Sequence, residues 1–277
     1  MVELLVVISI ISVLLAIVVP AVNLARRQAR SLLGMRNQRE VANAVNLFAV
    51  DNDDRYPDSV ATIGFGDSYR WADPAKMIGI RERSPQLHRA MSAYLGNYVE
   101  DAAIMFCPSA PQEHLRLQEA WGAGDDWDNP DTERTSDPFT GTYCFYWNYV
   151  GYLAETDTVF RGPTGPASSG RYSQLLVTDY LGYDHWRSPN AFGSCEQLPG
   201  ADIIPETQLQ SSYWAAAGDP NTAMPEVKLR AAYTDGHVET YSPSEVTPLK
   251  VSFEPEGKPP YTDYNSGIFF LPRDAVQ

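Results

Sequence analysis

An α+β protein is predicted: a long N-terminal α-helix, apolar in its first half, packed by its second half on a globular body that holds an antiparallel β-sheet. Three observations predict it. The chain opens on an apolar rod, Leu4 to Val19, bracketed by Glu3 and Pro20. Helical periodicity continues beyond the rod to about residue 50. Further on, aromatic and β-branched runs alternate with Gly, Pro and Asp clusters, the pattern of strands joined by turns. The expected division is an N-terminal helix over 1–53, with an apolar, membrane-suited segment at 1–23, and a body over 54–277.

The rod comes first. MVELLVVISIISVLLAIVVP carries one charge, close to its tip. A signal peptide would begin with basic residues and end in a small-residue cleavage site; this segment has neither. A plain membrane anchor needs ~20 apolar residues, which the rod reaches when Met1, Val2, Ala21 and Val22 are counted. Neither reading gives Glu3 a purpose. A carboxylate within a membrane segment costs up to a few kcal/mol, less near an end, and so points to a function.

Next, AVNLARRQARSLLGMRNQREVANAVNLFAV keeps a helical period. Val22, Ala25, Ala29 and Leu32 share one face, which Val41, Val45 and Phe48 are expected to resume, with Arg26, Arg30 and Arg36 off that stripe. Gly34 is a weak point, and Pro20 should kink or locally melt the rod. A helix of about 50 residues spans about 75 Å. It should end in VDNDDRYPDS, where Asp and Asn favour turns and Pro57 blocks continuation. Asp51 and Asp53 suggest a calcium loop, but Arg55 and Tyr56 stand where that loop needs a ligand and a glycine.

Charge divides along the same boundary. Residues 1–40 hold five Arg and two Glu, a net of +3; the other 16 basic and 33 acidic residues give −17. An acidic body argues against nucleic acid as a partner. With 16 Tyr, 10 Phe and 6 Trp in 277 residues, it can build a substantial core.

The rod and its flanks resemble the N-terminal segment of type IV pilins and type II secretion pseudopilins. VELLVVISIISVLLAIVVPAV matches that family's glutamate at Glu3, its apolar run, and its proline at Pro20, all in register. The family's mature chain begins with Phe-Thr and two apolar residues. Met1 stands where its third residue would be. Either translation starts upstream, at a basic leader that a prepilin peptidase removes, or this chain is not processed in the usual way. Arg26, Arg27 and Arg30, with nothing basic before the rod, would by the positive-inside rule hold the body in the cytoplasm; a basic leader would restore the opposite orientation.

The resemblance implies a structural subunit that waits in the inner membrane and then assembles with copies of itself. Its destination would be a periplasmic or extracellular filament at the cell surface, a type IV pilus or a secretion pseudopilus. Glu3 would neutralise a neighbour's N-terminal amine, and the partners would be self, inner membrane, prepilin peptidase and assembly machinery. The Asp-Asn exit followed by Tyr56-Pro57 and the Cys107-Pro108-Ser109 run fit the same family.

In the body, SPQLHRAMSAYLGNYV reads as an amphipathic helix with Leu87, Met91 and Leu95 on one face, and AIMFCPSAP as a short strand or turn. TYCFYWNYVGYLAE and YSQLLVTDYLGY read as strands. In KLRAAYTDGHVETYS two strand-like runs flank Asp235-Gly236, the dipeptide of a type I′ hairpin turn. This hairpin resembles one near the C-terminus of a large prepilin-like group, although Pro225 stands where that group often has a histidine.

Three cysteines, Cys107, Cys144 and Cys195, allow three pairings. Cys107–Cys144 is the expected one, since each follows an apolar run; such a loop would contribute roughly 3–4 kcal/mol. None forms a CxxC zinc motif. The acidic loop GAGDDWDNPDTERTSDP offers Asp125, Asp126, Asp128, Asp131 and Glu133 to a hard cation such as calcium. Their spacing matches no known cage, and a solvated loop is the favoured reading. No other cofactor is expected. The four histidines are scattered and no catalytic motif occurs, so no enzyme activity is expected. The alternatives to a filament subunit are a membrane-anchored surface protein that binds carbohydrate or protein through its Tyr and Trp residues, and less so an anchored enzyme.

Overall fold

The computed structural model describes residues 2–65, 69–72, 74–78, 91–108, 139–140, 142–153, 158–183, 228–251 and 268–276. One helix, α1, runs without interruption over Val2–Asp51, with Pro20 inside it. The expected local melting is absent: a proline removes one backbone N–H, and the bonds on either side carry the helix across. At its C-terminus Asp53 and Asp54 both have positive φ (54° and 56°). The Asp54 N–H returns to the Ala49 carbonyl at 2.9 Å, so the acidic stretch closes the helix as turn chemistry predicts.

The described strands are β1 (Thr62–Phe65), β2 (Tyr69–Ala72), β3 (Lys76–Ile78), β4 (Phe139–Thr140), β5 (Tyr143–Phe145), β6 (Val150–Leu153), β7 (Thr158–Arg161), β8 (Leu175–Asp179), β9 (Gly182–Tyr183), β10 (Leu229–Tyr233), β11 (Val238–Tyr241), β12 (Val246–Val251) and β13 (Ile268–Pro272). They form a four-stranded sheet in the order β11-β10-β8-β5, a five-stranded sheet in the order β7-β6-β12-β13-β9, and two small ribbons, β1-β2 and β3-β4. Every pairing is antiparallel. The predicted α+β architecture is therefore present.

The four-stranded sheet is the middle of three layers. Along β10 and β5 successive side chains alternate between its two faces. Ala232, Tyr143 and Phe145 pack with Val41, Val45 and Ala49 of α1. Leu229, Ala231, Tyr233 and Cys144 pack with Leu153, Leu249, Phe269 and Leu271 of the second sheet. Two apolar layers thus share one sheet, and the helix closes one of them.

In the body, α2 spans Met91–Leu95 with Met91 and Leu95 buried; Leu87 lies outside the described residues. Of the two forms expected for this segment, strand or turn, the structure has the turn: a 3-10 turn over Ala102–Met105, capped by the Asp101 side chain on the Ala103 N–H at 2.9 Å. A side-chain cap satisfies an early N–H that a lone strand would have left without a partner.

The hairpin over Asp235-Gly236 forms, with Ala232 opposite Val238, but its turn is not type I′. That turn needs positive φ at both central residues, and here Gly236 alone has it (81°). The Gly236 N–H reaches the Tyr233 carbonyl at 2.9 Å, and the Tyr233 N–H reaches the His237 carbonyl at 3.1 Å. This is the three-residue loop in which a glycine forms the bulge. Asp235 keeps negative φ and turns its carboxylate on the His237 N–H at 3.0 Å.

Candidate functional site

Among the described residues, the surface most unlike the rest is the first part of α1. Residues 3–30 of the helix are exposed throughout, Leu4 at 70% and Ile17 at 67% among them. None of this apolar surface meets the described body. The segment is long and apolar enough to cross a membrane. Its polar atoms suit such a medium. Ser9 Oγ donates to the Val6 carbonyl and Ser12 Oγ to the Ile8 carbonyl, each at 2.7 Å. Both hydroxyl protons are thereby satisfied within the helix, as an apolar environment requires. Glu3 lies in the first turn, where the helix dipole favours a negative charge.

Beyond the rod, the two apolar stripes do not share a face as expected. Val41 and Val45 are fully buried, whereas Leu32 is 67% exposed and Val22 40%. At about 100° per residue, Val22, Ala25, Ala29 and Leu32 lie on the side away from the body. Arg26, Arg27 and Arg30 lie instead on the arc that later carries Asn37, Val41 and Val45. All three arginines are exposed, and none has an ion pair among the described residues. Arg36, on the outer side, is held by Glu40 at 2.7 Å.

Where the body begins, polar groups fix the helix. Gln38 is fully buried, and its Nε2 donates to Asp179 Oδ1 at 2.8 Å. Asp179 Oδ2 accepts the Arg230 backbone N–H at 3.2 Å and faces the Arg230 guanidinium at 3.8 Å, with both side chains 2% exposed. At the preceding position, Asn37 Nδ2 donates to the Phe106 carbonyl at 3.0 Å. The Tyr143 hydroxyl lies between the Phe106 carbonyl at 3.1 Å and the Gly34 carbonyl at 3.3 Å. Burial, with Asp179 beside it, holds the Tyr143 hydroxyl well above the usual tyrosine range. Further along, the Tyr56 hydroxyl donates to Asn46 Oδ1 at 2.7 Å, and Asn46 Nδ2 donates to the Thr234 carbonyl at 2.9 Å. These bonds fix the register of helix on sheet in a way that apolar contacts alone would not.

This polar lock was missed by sequence reasoning. Its signal was present: Asn37 and Gln38 interrupt an apolar arc, Asp179 ends an apolar strand, and Arg230 stands inside LRAAY.

At the far end of α1 an open cleft of about 450 Å³ lies beside Asp54, Asp58, Asn148 and Ser168. A Cβ on Gly165 would stand 2.2 Å from the Asp54 carbonyl oxygen, so only glycine permits this close approach of loop to helix end. Asn148, at positive φ (50°), donates from Nδ2 to the Tyr56 and Pro57 carbonyls at 3.1 and 2.8 Å. These groups are occupied in tying two loops together.

The other predicted residues are placed as follows. The Cys107–Cys144 pairing is not made: Cys107 is disulfide-bonded, and Cys144 is a buried thiol. The physical reason is the alternation along β5, which turns Cys144 toward the second sheet while Cys107 joins the helix side. Cys195 lies outside the described residues. So do Asp125, Asp126, Asp128, Asp131 and Glu133; among the described residues no cluster of His, Cys, Asp or Glu could hold a metal. His237 stacks on the Tyr233 ring at 4.4 Å and contacts Asp235 through Nδ1. That contact, led by the His237 backbone N–H, lowers the Asp235 carboxyl below its usual range.

Comparison with family models, with curated proteins and with solved structures finds no match for this chain.

Proposed function

We propose that the chain is a structural subunit of a type IV pilus-like filament or of a type II secretion pseudopilus. Its N-terminal rod sits in the inner membrane before assembly and in the filament core afterwards. One observation carries the reading: a single 50-residue helix whose first part is apolar and exposed, touching none of the described body, while its last part is locked to the sheet. Apolar surface of this extent is unfavourable in water, so it must lie in lipid or against copies of itself. In the filament Glu3 neutralises the N-terminal amine of a neighbour, so the charge is tolerated in apolar surroundings. The partners in this reading are copies of the chain, the inner membrane and an assembly machinery. No reaction, nucleic acid or cofactor is assigned to it.

A plain anchor carrying a surface binding module would share the rod but not the need for Glu3. The test is Glu3→Ala in the full chain. The body should keep its near-ultraviolet circular dichroism, and filaments seen by electron microscopy should fall at least tenfold. Filaments at wild-type levels would remove the role of Glu3; no filaments from either protein, with both held in membranes, would favour the anchored binding module.

A further inference from the structure

We infer that Arg26, Arg27 and Arg30 form a binding collar for anionic phospholipid headgroups, wedged between the bilayer surface and the acidic body; this rests on the membrane stage of the proposed function.

Geometry supports it first. Leu4 to Val22 is a helical stretch of about 28 Å, which matches a hydrocarbon core of about 30 Å. Arg26 and Arg30 then stand about 6 and 12 Å past its end. The headgroup layer on each side is roughly 5–8 Å deep, and helix side chains lean back toward the N-terminus. Long arginine side chains at these positions therefore reach phosphate level. The first buried helix residue, Gly34, comes one turn after Arg30. The collar thus falls between the membrane level and the body, and its three arginines are exposed.

Charge supports it independently. All three guanidinium groups are exposed and lack an ion pair among the described residues, in contrast to Arg36, which Glu40 holds. They project from the arc of α1 that later meets the body, opposite the outward stripe of Val22, Ala25, Ala29 and Leu32. The segment is therefore two-sided: apolar toward neighbours, basic beneath the body. Residues 41–277 carry a net −17, which an anionic membrane repels. Three arginines at the surface oppose that repulsion, each raising local affinity for anionic lipid about fivefold. Arginine also matches phosphate with a planar two-donor fork.

The experiment uses the full chain, reconstituted into nanodiscs of equal phosphatidylcholine and phosphatidylglycerol. Lipids that remain with the protein on gentle release are counted by native mass spectrometry. The wild type should retain phosphatidylglycerol over phosphatidylcholine by at least threefold, and 0.5 M salt should weaken this preference, in line with screening. R26Q/R27Q/R30Q should abolish it, R26K/R27K/R30K should keep part of it, and R36Q should leave it intact. Equal retention of the two lipids by the wild type, or unchanged enrichment in the triple Gln variant, overturns the collar while the membrane reading stands. A chain that enters neither mixed nor pure phosphatidylcholine discs overturns both. A triple Gln variant that loses filaments while keeping its lipid preference overturns the collar and assigns the arginines to a neighbouring acidic body.

Discussion

Residues 4–19 and residues 37–49 belong to one uninterrupted helix, yet they are built for different surroundings. The first stretch is apolar on every side, and its serine hydroxyls fold back on their own carbonyls. The second is apolar on one arc only. Within that arc it buries two amides, Asn37 and Gln38, each with a partner on the body. A buried amide is affordable only where acceptors are already in position. The second half is therefore specified by one partner surface, whereas the rod accepts any apolar surroundings. Because the two stretches share one uninterrupted helix, the docking of the second half on the body sets where the rod leaves it.

The comparison can be broken most severely by separating the halves. A chain beginning at Leu24 should be soluble and monomeric by light scattering, with its circular dichroism retained, while the full chain should need detergent or form filaments. A truncated chain that unfolds, or that forms filaments as well as the full one does, would end the division of labour.

A smaller but still large effect is expected at the lock. Asp179→Ala removes the carboxylate that faces the buried Arg230 guanidinium and takes from Gln38 Nε2 its closer acceptor, leaving it the Arg230 carbonyl at 3.5 Å. The cost should be about 3–5 kcal/mol, read as a lowered midpoint in urea with little change in slope. Ile10→Ser in the rod should leave the same midpoint where it is.

At the level of one side chain, Val45→Ala opens a cavity at a fully buried site and should cost about 1.5–3 kcal/mol. Leu32→Ala, on the outward stripe, should change folding stability by less than about 0.5 kcal/mol. Equal effects of the two on the unfolding midpoint would restore the single continuous stripe that the sequence suggests.

The mildest test uses pH. Burial raises the hydroxyls of Tyr56, Tyr143, Tyr146, Tyr233 and Tyr241 above the ordinary tyrosine range. A raised folded-state value means that the unfolded chain gives up these protons first. Their stabilisation is complete below about pH 10 and declines as pH rises through and beyond that value. All five lie in the body or its contact with the second half of α1, and the rod has no tyrosine. Body circular dichroism should therefore be lost above pH 10 before the rod's helical signal is. Simultaneous loss would show that the two are energetically one unit.

Much of this molecule was legible in the sequence because it depends on local rules. The rod, with its single carboxylate, follows from composition. The closing turn after Asp51 follows from Asp, Asn and Pro chemistry. The strands follow from aromatic and β-branched runs, and the Asp235-Gly236 hairpin from its dipeptide. Even there the turn type depended on more: Asp235 stays out of positive φ while its carboxylate caps His237.

The side of the helix that faces the body was settled by tertiary structure. Leu32 and Leu33 look like core residues and Asn37 and Gln38 like surface ones, but Asp179 is 141 positions from Gln38 in the chain and waits on the sheet to receive it. The disulfide went the same way, because the alternation of β5 turns Cys144 from the layer that holds Cys107. Sequence alone determines which segments are helical, apolar or turning, since those are properties of neighbours a few residues apart. Which polar residues become interior is decided when distant segments meet, because burial of an amide or a carboxylate is favourable only in the presence of the partner that replaces water.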